Sequence, residues 1–307
     1  MQVSAACIRC MVDRQEERMQ KKTDLSEIKK AEYLKEVLRV IGESDETDSA
    51  PELVEKISKV YEDFFGKEKE YGKIKYEHNK KMLHIEEEIQ RSIEQAEDPL
   101  EQAILYARTG NYIDYGAMKV VDEGILGELL QKAATEKLDK RNYDCFKQDL
   151  KQAKMLTYVL DNCGEIVLDK LLIKEIKRQY PKLQIYVLVR GKEVLNDATM
   201  DDAIQIGLTK MVPVIENGTG IAGTVLEKIS EEAKEALNNA DVILAKGQGN
   251  FESMYGCGLN VYYLFLCKCD WFVKRFGMTK NAGVFLREGE YILQNIKDGP
   301  MSRFSTS

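Results

Sequence analysis

Apolar residues in the first half of the chain recur at spacings of three and four, while in the second half they gather into short runs separated by polar, Gly-bearing turns. The first pattern predicts amphipathic helices, and the second predicts strands alternating with helices. From Cys7 to about Leu150 nearly every segment reads as helix, most clearly over 25–41, 51–65 and 82–96. Pro51 follows Asp48-Ser49-Ala50 and Pro99 follows Asp98, so both mark helix starts, where a missing N–H is tolerated. The Glu- and Lys-rich run 67–81 mixes its signs and reads as a solvated helix face.

Beyond residue 150 the pattern changes period. Strands are predicted at 156–160, 184–189, 210–215, 241–245, 262–267 and 282–286. Helices are predicted at 166–177, after a cap at Thr199, and over 224–238, where Thr224 and Glu227 have capping-box spacing. Strands that alternate with helices imply an α/β domain with a parallel sheet. The division is thus a mainly helical region, 1–150, and an α/β region, 151–307; the length suits one large domain with an extra layer, or two sharing an interface.

The run 156–160 is followed by Asp161-Asn162-Cys163-Gly164-Glu165 and then a helix, which places Asp161 and Asn162 at the carboxyl end of a strand. Ligands of open α/β sheets bind at this edge, and the start of the next helix favours an anion. Asp161 and Asn162 are both oxygen donors and suit a hard divalent cation, Mg²⁺ or Mn²⁺, better than Zn²⁺. Asp197, in Asn196-Asp197, is either a turn residue ahead of the Thr199 cap or a third oxygen ligand from a neighbouring strand end. At the end of 241–245, Lys246-Gly247-Gln248-Gly249-Asn250 is either a Gly-rich turn with an exposed lysine or a place where backbone and a point charge approach phosphate. Gly110-Asn111 interrupts a helix in the manner of a left-handed cap, and Asn111 and Asp114 stand among Tyr112, Ile113 and Tyr115 as polar groups in need of partners.

Other motifs carry less. Gly218 to Gly223 matches GxGxxG, but the next strand ends in Lys246 rather than an acidic residue, so a tight turn is the better reading than a dinucleotide site. Cys7 and Cys10 have the spacing of half a zinc site; the other candidate pair, Cys267 and Cys269, is spaced differently, which leaves two thiols on the first turn of a helix. His78 and His84 have no ligand partner nearby in sequence and read as surface or satisfied structural residues.

Composition narrows the classes. A net charge of −7 opposes a broad nucleic-acid surface, although a metal ion and a local lysine can reverse the field inside one pocket. No apolar run is long enough to span a bilayer, the N-terminus lacks a secretory pattern, and seven cysteines suit a reducing compartment, so a cytoplasmic protein is expected.

Taken together, Asp161-Asn162, Asn196-Asp197, Gly110-Asn111 with Asp114, and Lys246-Gly247 with Asn250 resemble the damage-control metal-dependent phosphatase family, formerly a family of unknown function. The N-terminal Cys7 and Cys10 resemble its short prokaryotic branch. The resemblance implies a three-layer α/β/α fold with a mostly parallel sheet and a helical N-terminal region. It implies metal ligation by Asp161, Asn162 and Asp197, phosphate contact by Lys246, Gly247 and Asn250, and a site lined by Asn111 and Asp114. The expected activity is hydrolysis of small phosphomonoesters, sugar phosphates or phosphopantetheine-like esters, with Mg²⁺, Mn²⁺, Co²⁺ or Ni²⁺. Lys246 and backbone N–H groups near Gly164 and Gly247 are expected to offset developing charge; Asp161, ahead of Glu165 and Asp114 as carboxylate base, either activates water, attacks phosphorus itself or only holds the ion. Cys163 stands where the family has a smaller residue, and Lys192-Glu193-Val194-Leu195 lacks the family's proline, which bears on the pocket wall. The alternatives are a non-catalytic metal and phosphometabolite sensor on the same fold, a nucleotide-dependent enzyme using the Gly218 turn, and a scaffold acting through the helical half.

Overall fold

The computed structural model of the chain describes residues 1–67, 71–112 and 123–289. Ser4, Ser26 and Ser49 each precede a helix: α1 (Ala5–Gln20), α2 (Glu27–Gly42) and α3 (Ala50–Phe65). The Ser4 hydroxyl accepts from the Cys7 N–H, the Ser26 hydroxyl from Lys29, and Glu52 reaches back to the Ser49 N–H at 2.7 Å, so each helix start has a side-chain partner. These helices close on a core of their own that includes Met11, Tyr33, Val37, Leu53 and Ile57. Cys7 is buried and Cys10 exposed in the first turns of α1.

Next come α4 (Gly72–Gln95), α5 (Pro99–Gly110), α6 (Glu123–Ala133) and α7 (Lys140–Gln152). Helix α4 starts well before the predicted 82, and part of the run 67–81 is not a solvated face: Lys75, His78 and Asn79 are buried. Lys75 tolerates burial because its ammonium meets the Asp202 carboxylate at 2.7 Å, a partner far away in sequence. The turn after α5 also differs from expectation, since Asn111 is right-handed at φ −62°.

The α/β region runs β1 (Met155–Val159), α8 (Glu165–Gln179), β2 (Gln184–Val189), α9 (Met200–Gln205), β3 (Val214–Glu216), α10 (Glu231–Asn238), β4 (Val242–Lys246), α11 (Gln248–Met254), β5 (Val261–Leu266), α12 (Asp270–Phe276) and β6 (Gly283–Arg287). Among the described residues the strands form one sheet ordered β3-β2-β1-β4-β5-β6. The first five are parallel and β6 is antiparallel to β5. Strand order reverses between β1 and β4, which makes their carboxyl ends the topological switch point where doubly wound sheets bind ligands.

Period-two alternation assigns the layers. Tyr158 and Leu244 face a core shared with Ile104, Phe146, Leu168 and Leu172, so α5, α7 and α8 cover that face. Val159 and Ala245 face the opposite core with Leu237, Phe251 and Phe272 from α10, α11 and α12. The first of these cores takes side chains from both sides of residue 150. The architecture is the expected three-layer α/β/α arrangement with a mostly parallel sheet.

Two predicted elements shrink. Strand β3 starts only at Val214, after a 3-10 turn at Leu208–Lys210 and after Pro213, which has no N–H for the ladder. The helix expected over 224–238 is present only as α10, capped by Ser230, whose hydroxyl accepts from the Ala233 N–H. Thr224 and Glu227 form no capping box there; the Thr224 hydroxyl instead donates to Asn250 at 2.8 Å. The Gly218 turn therefore opens no helix, and its last glycine serves close packing: a Cβ at Gly223 would fall 2.8 Å from Ser253 Oγ and 2.9 Å from the Gly249 carbonyl oxygen.

Candidate functional site

The polypeptide leaving β1 runs beside the loop between β2 and α9. The Ala198 N–H donates to the Asp161 carbonyl at 2.7 Å, the Cys163 N–H to the Asn196 carbonyl at 2.8 Å, and Asn162 and Asp197 pair as an antiparallel bridge. The Asn196 carboxamide donates to Asn162 Oδ1 at 3.0 Å. The adjacent Asp161 and Asn162 and the distant Asp197 thus share one sheet edge.

Asn111 reaches the same edge from the end of α5. Its Nδ2 donates to Asp161 Oδ2 at 2.9 Å, and its Oδ1 accepts from the Leu266 N–H at 3.1 Å. Asn162 also donates to Asp161 Oδ2, at 2.7 Å. Oδ2 is therefore tied inward while Oδ1 lies 3.8 Å from Arg190 Nη2. Gly110 permits this approach, since a Cβ there would meet Leu168 Cδ1 at 2.9 Å. Asp114 lies outside the described residues.

Lys246 sits differently from its sequence reading. Its ammonium is fully buried and donates to Glu165 Oε1 at 2.5 Å, Asp169 Oδ1 at 2.6 Å and the Ala107 carbonyl at 2.9 Å. All three N–H bonds are used within the protein, and the Tyr158 hydroxyl donates to the same Asp169 oxygen. Asn250 is likewise engaged: its amide nitrogen donates to the Leu160 and Lys246 carbonyls, and its oxygen accepts from Thr224 and Arg190. It ties the end of β1 to the end of β4. The backbone N–H groups expected to meet an anion are also occupied, Gly164 by Asn79 Oδ1 at 2.6 Å and Gly247 by the Leu264 carbonyl at 3.1 Å. Gly247 matters sterically instead, because a Cβ there would fall 2.0 Å from Asp161 Oδ2.

Charge is crowded here. Burial, with Asp197 and Glu165 nearby, pushes Asp161 well above the ordinary carboxylate range, and Arg190 and Lys268 oppose the shift. Burial also raises Asp169 to about 7, against the pull of Lys246. Burial disfavours the charge on Lys246, yet Asp169 and Glu165 outweigh it and leave its pKa above the ordinary lysine value. Lys246 faces Glu165 and Asp169, and Arg190 faces Asp197 and Asp161, with Lys268 also near Asp161, so carboxylates outnumber cations around this edge.

The surplus of carboxylates over cations, with Asp161, Asp197 and the Asn162 carboxamide oxygen at one strand edge, fits a hard divalent cation. Among the described residues no group of three or more His, Cys, Asp or Glu side chains forms a metal cluster, so the donor set depends on Asn162. Sequence reasoning missed Arg190, the residue that follows β2, and Lys268, just past β5. It also missed Asn79, which latches α4 to the start of α8 and donates to Asp202 at 2.7 Å. A basic residue ending a strand beside the Asp161 strand was the available signal for Arg190. Cavities of about 850 and 900 Å³ lie along α4, α5 and α6, away from this edge.

Among the described residues no helix is long and apolar enough to cross a membrane. A doubly wound sheet with acidic and amide side chains gathered at its switch point defines an α/β ligand-binding domain. The chain belongs to the damage-control phosphatase ARMT1-like family, whose domain matches residues 3–284. It is 30% identical over 289 residues to a damage-control phosphatase of Archaeoglobus fulgidus, covering 91% of this chain and 96% of that protein. It is 34% identical over 233 residues to an uncharacterised protein of Methanocaldococcus jannaschii, covering 71% of this chain and 73% of that one. The crystal structure of a DUF89 family protein from Pyrococcus horikoshii superposes with a TM-score of 0.77 at 27% identity, covering 94% of this chain and 99% of that chain.

Proposed function

We propose that this protein is a metal-dependent phosphomonoester hydrolase of small phosphorylated metabolites, sugar phosphates or phosphopantetheine-like esters, working in the cytoplasm without nucleic-acid or membrane partners. The observation that carries the proposal is the convergence of Asp161, Asn162 and Asp197 at the switch point with Asp161 pushed well above its ordinary range. Names of relatives support the phosphatase class, and Cys7 and Cys10 suit the family's short prokaryotic branch.

Asp161, Asn162 and Asp197 would hold Mg²⁺, Mn²⁺, Co²⁺ or Ni²⁺, which supplies positive charge against the phosphate oxygens. Asp161, with a raised pKa and Oδ1 turned away from the Asn111 and Asn162 amides, is placed to accept the proton of the attacking water. The water oxygen bonds to phosphorus, the ester P–O bond breaks, and the proton taken up by Asp161 returns to the leaving oxygen, so that the products are the alcohol and inorganic phosphate. Lys246 and Asn250 act by position: Lys246 fixes Glu165, which receives the Asn111 and Asn162 amides, and Asn250 joins the strand ends. Gly247, having no Cβ, leaves the place that the Asp161 carboxylate occupies, and Asp114 remains a candidate for the site wall.

The test is phosphate release from a panel of phosphomonoesters by metal-stripped wild type and Asp161→Ala, with each of the four metals added singly. Metal-dependent release that the variant lacks is expected. A folded wild type that releases no phosphate with any metal would count against hydrolysis and favour the sensor reading.

A further inference from the structure

Arg190 is among the most deeply buried large side chains of the described residues, at 1% exposure, and lies just past β2. Its guanidinium is held at two of its three nitrogens. Nε donates to Asp197 Oδ2 at 2.7 Å, and Nη1 donates to the Gly223 carbonyl at 2.8 Å, Thr224 Oγ1 at 3.1 Å and Asn250 Oδ1 at 3.1 Å. These acceptors come from both sides of the switch point, so the plane of the group is set by the fold. The third nitrogen, Nη2, is buried with no hydrogen-bond partner and lies 3.8 Å from Asp161 Oδ1.

An unsatisfied guanidinium N–H inside a protein is costly; four acceptors hold the rest of the group, and Nη2 alone is left over beside Asp161. The direction identifies the ligand's chemistry. Nη2 points to the side of Asp161 that carries the free oxygen, and the other expected anion donors, Lys246 and the Gly164 and Gly247 N–H groups, are already bonded within the protein. Resting on the phosphatase reading above, we propose that Arg190 is a catalytic residue that seats the phosphoryl group, with its Nη2–H donating to a phosphate oxygen beside Asp161 Oδ1. A planar guanidinium suits this role because its fork of donors matches phosphate oxygens and holds its geometry when buried.

The group then has two faces. Nε orients Asp197 for the cation, and Nη2 orients the phosphate. One buried arginine thus sets the angle between metal ligand and substrate, which a lysine, as a point charge with flexible geometry, does not reproduce.

The experiment compares wild type with Arg190→Lys, using inorganic phosphate as the probe. Binding of Mn²⁺ and then of phosphate to the Mn²⁺-saturated protein is measured by calorimetry, alongside phosphate inhibition of p-nitrophenyl phosphate hydrolysis. The expected result is a weakening of phosphate binding to the Mn²⁺-saturated protein of about tenfold or more, beyond whatever loss of Mn²⁺ binding follows from the missing Nε–Asp197 bond. Phosphate binding within about twofold of wild type at saturating Mn²⁺ would overturn the proposal and leave Arg190 a positioning residue for Asp197. Should the variant fail to fold, a crystal structure of the wild type with Mn²⁺ and phosphate decides: Nη2 at about 3 Å from a phosphate oxygen supports the proposal, and beyond about 4 Å overturns it. Phosphate binding is read independently of turnover, so a wild type that binds phosphate through Arg190 but hydrolyses no ester would refute the phosphatase reading alone.

Discussion

Gly247 lies flat against the Asp161 carboxylate: a Cβ on Gly247 would fall 2.0 Å from Oδ2 and 2.6 Å from Oδ1. The backbone there has φ +80° and ψ 155°, a conformation that side chains rarely enter. Gly247→Ala therefore meets two obstacles, strain of about 1–3 kcal/mol and eviction of the carboxylate from its place. Activity is expected to fall by about a hundredfold or more, since small displacements of a reacting group have that effect. A kinetic comparison with thermal melting checks this; unchanged turnover would show that the Asp161 position is not critical.

Asp161→Asn separates activity from stability. Burial and the nearby carboxylates raise the Asp161 pKa, so the folded protein without metal is burdened by the ionised form at neutral pH. The amide mimics the neutral acid. Loss of activity by about a hundredfold or more is expected, together with a metal-free melting temperature at pH 7 above that of wild type. The difference should narrow as the pH falls, because wild type then takes up the proton. A destabilised variant at pH 7 would contradict the electrostatic account.

Lys246→Met leaves Glu165 and Asp169 buried without their ammonium. Breaking such an arrangement costs about 3–5 kcal/mol, more than truncating an exposed lysine. Adding Asp169→Asn to that variant should recover part of the loss, because one of the two uncompensated charges is removed. Denaturant unfolding of the single and double variants measures the coupling; strict additivity would show that the pair does not interact.

His78 predicts an acid-side loss of stability. Burial, with help from Lys81, lowers its pKa from 6.5 to about 4. The unfolded chain therefore binds the proton more readily than the folded one between these values. Stability contributed by neutral His78 is complete above about pH 6.5, falls as the pH drops through this window, and is fully lost below about pH 4. His78→Gln should flatten this part of the stability profile. Equal slopes for the two proteins between pH 6.5 and 4 would count against it.

Much of the fold was legible in the chain because its signals are local. The periods of three to four and of two, the prolines at Pro51 and Pro99, and the Thr199 cap placed most helices and strands within a few residues. The Asp161-Asn162 edge was legible for the same reason, since a strand end and a helix start are read from neighbouring residues. The shortened β3 and the missing first half of the 224–238 helix show where locality misleads. Thr224 has the residue type of a helix cap, but Asn250 and Arg190 compete for its hydroxyl from elsewhere in the chain.

The sequence by itself determined the elements, the acidic and amide donors, and the class of ligand they suit. Only the tertiary structure decided the partners. It turned Lys246 from an anion donor into the counterion of Glu165 and Asp169, buried Lys75 against Asp202, and aimed Arg190 Nη2 beside Asp161. The physical reason is that a charged side chain reads the same in sequence whether solvent or a carboxylate far along the chain compensates it. Burial and pairing are set by the strand order, which brings β2, β1 and β4 together and no local pattern records.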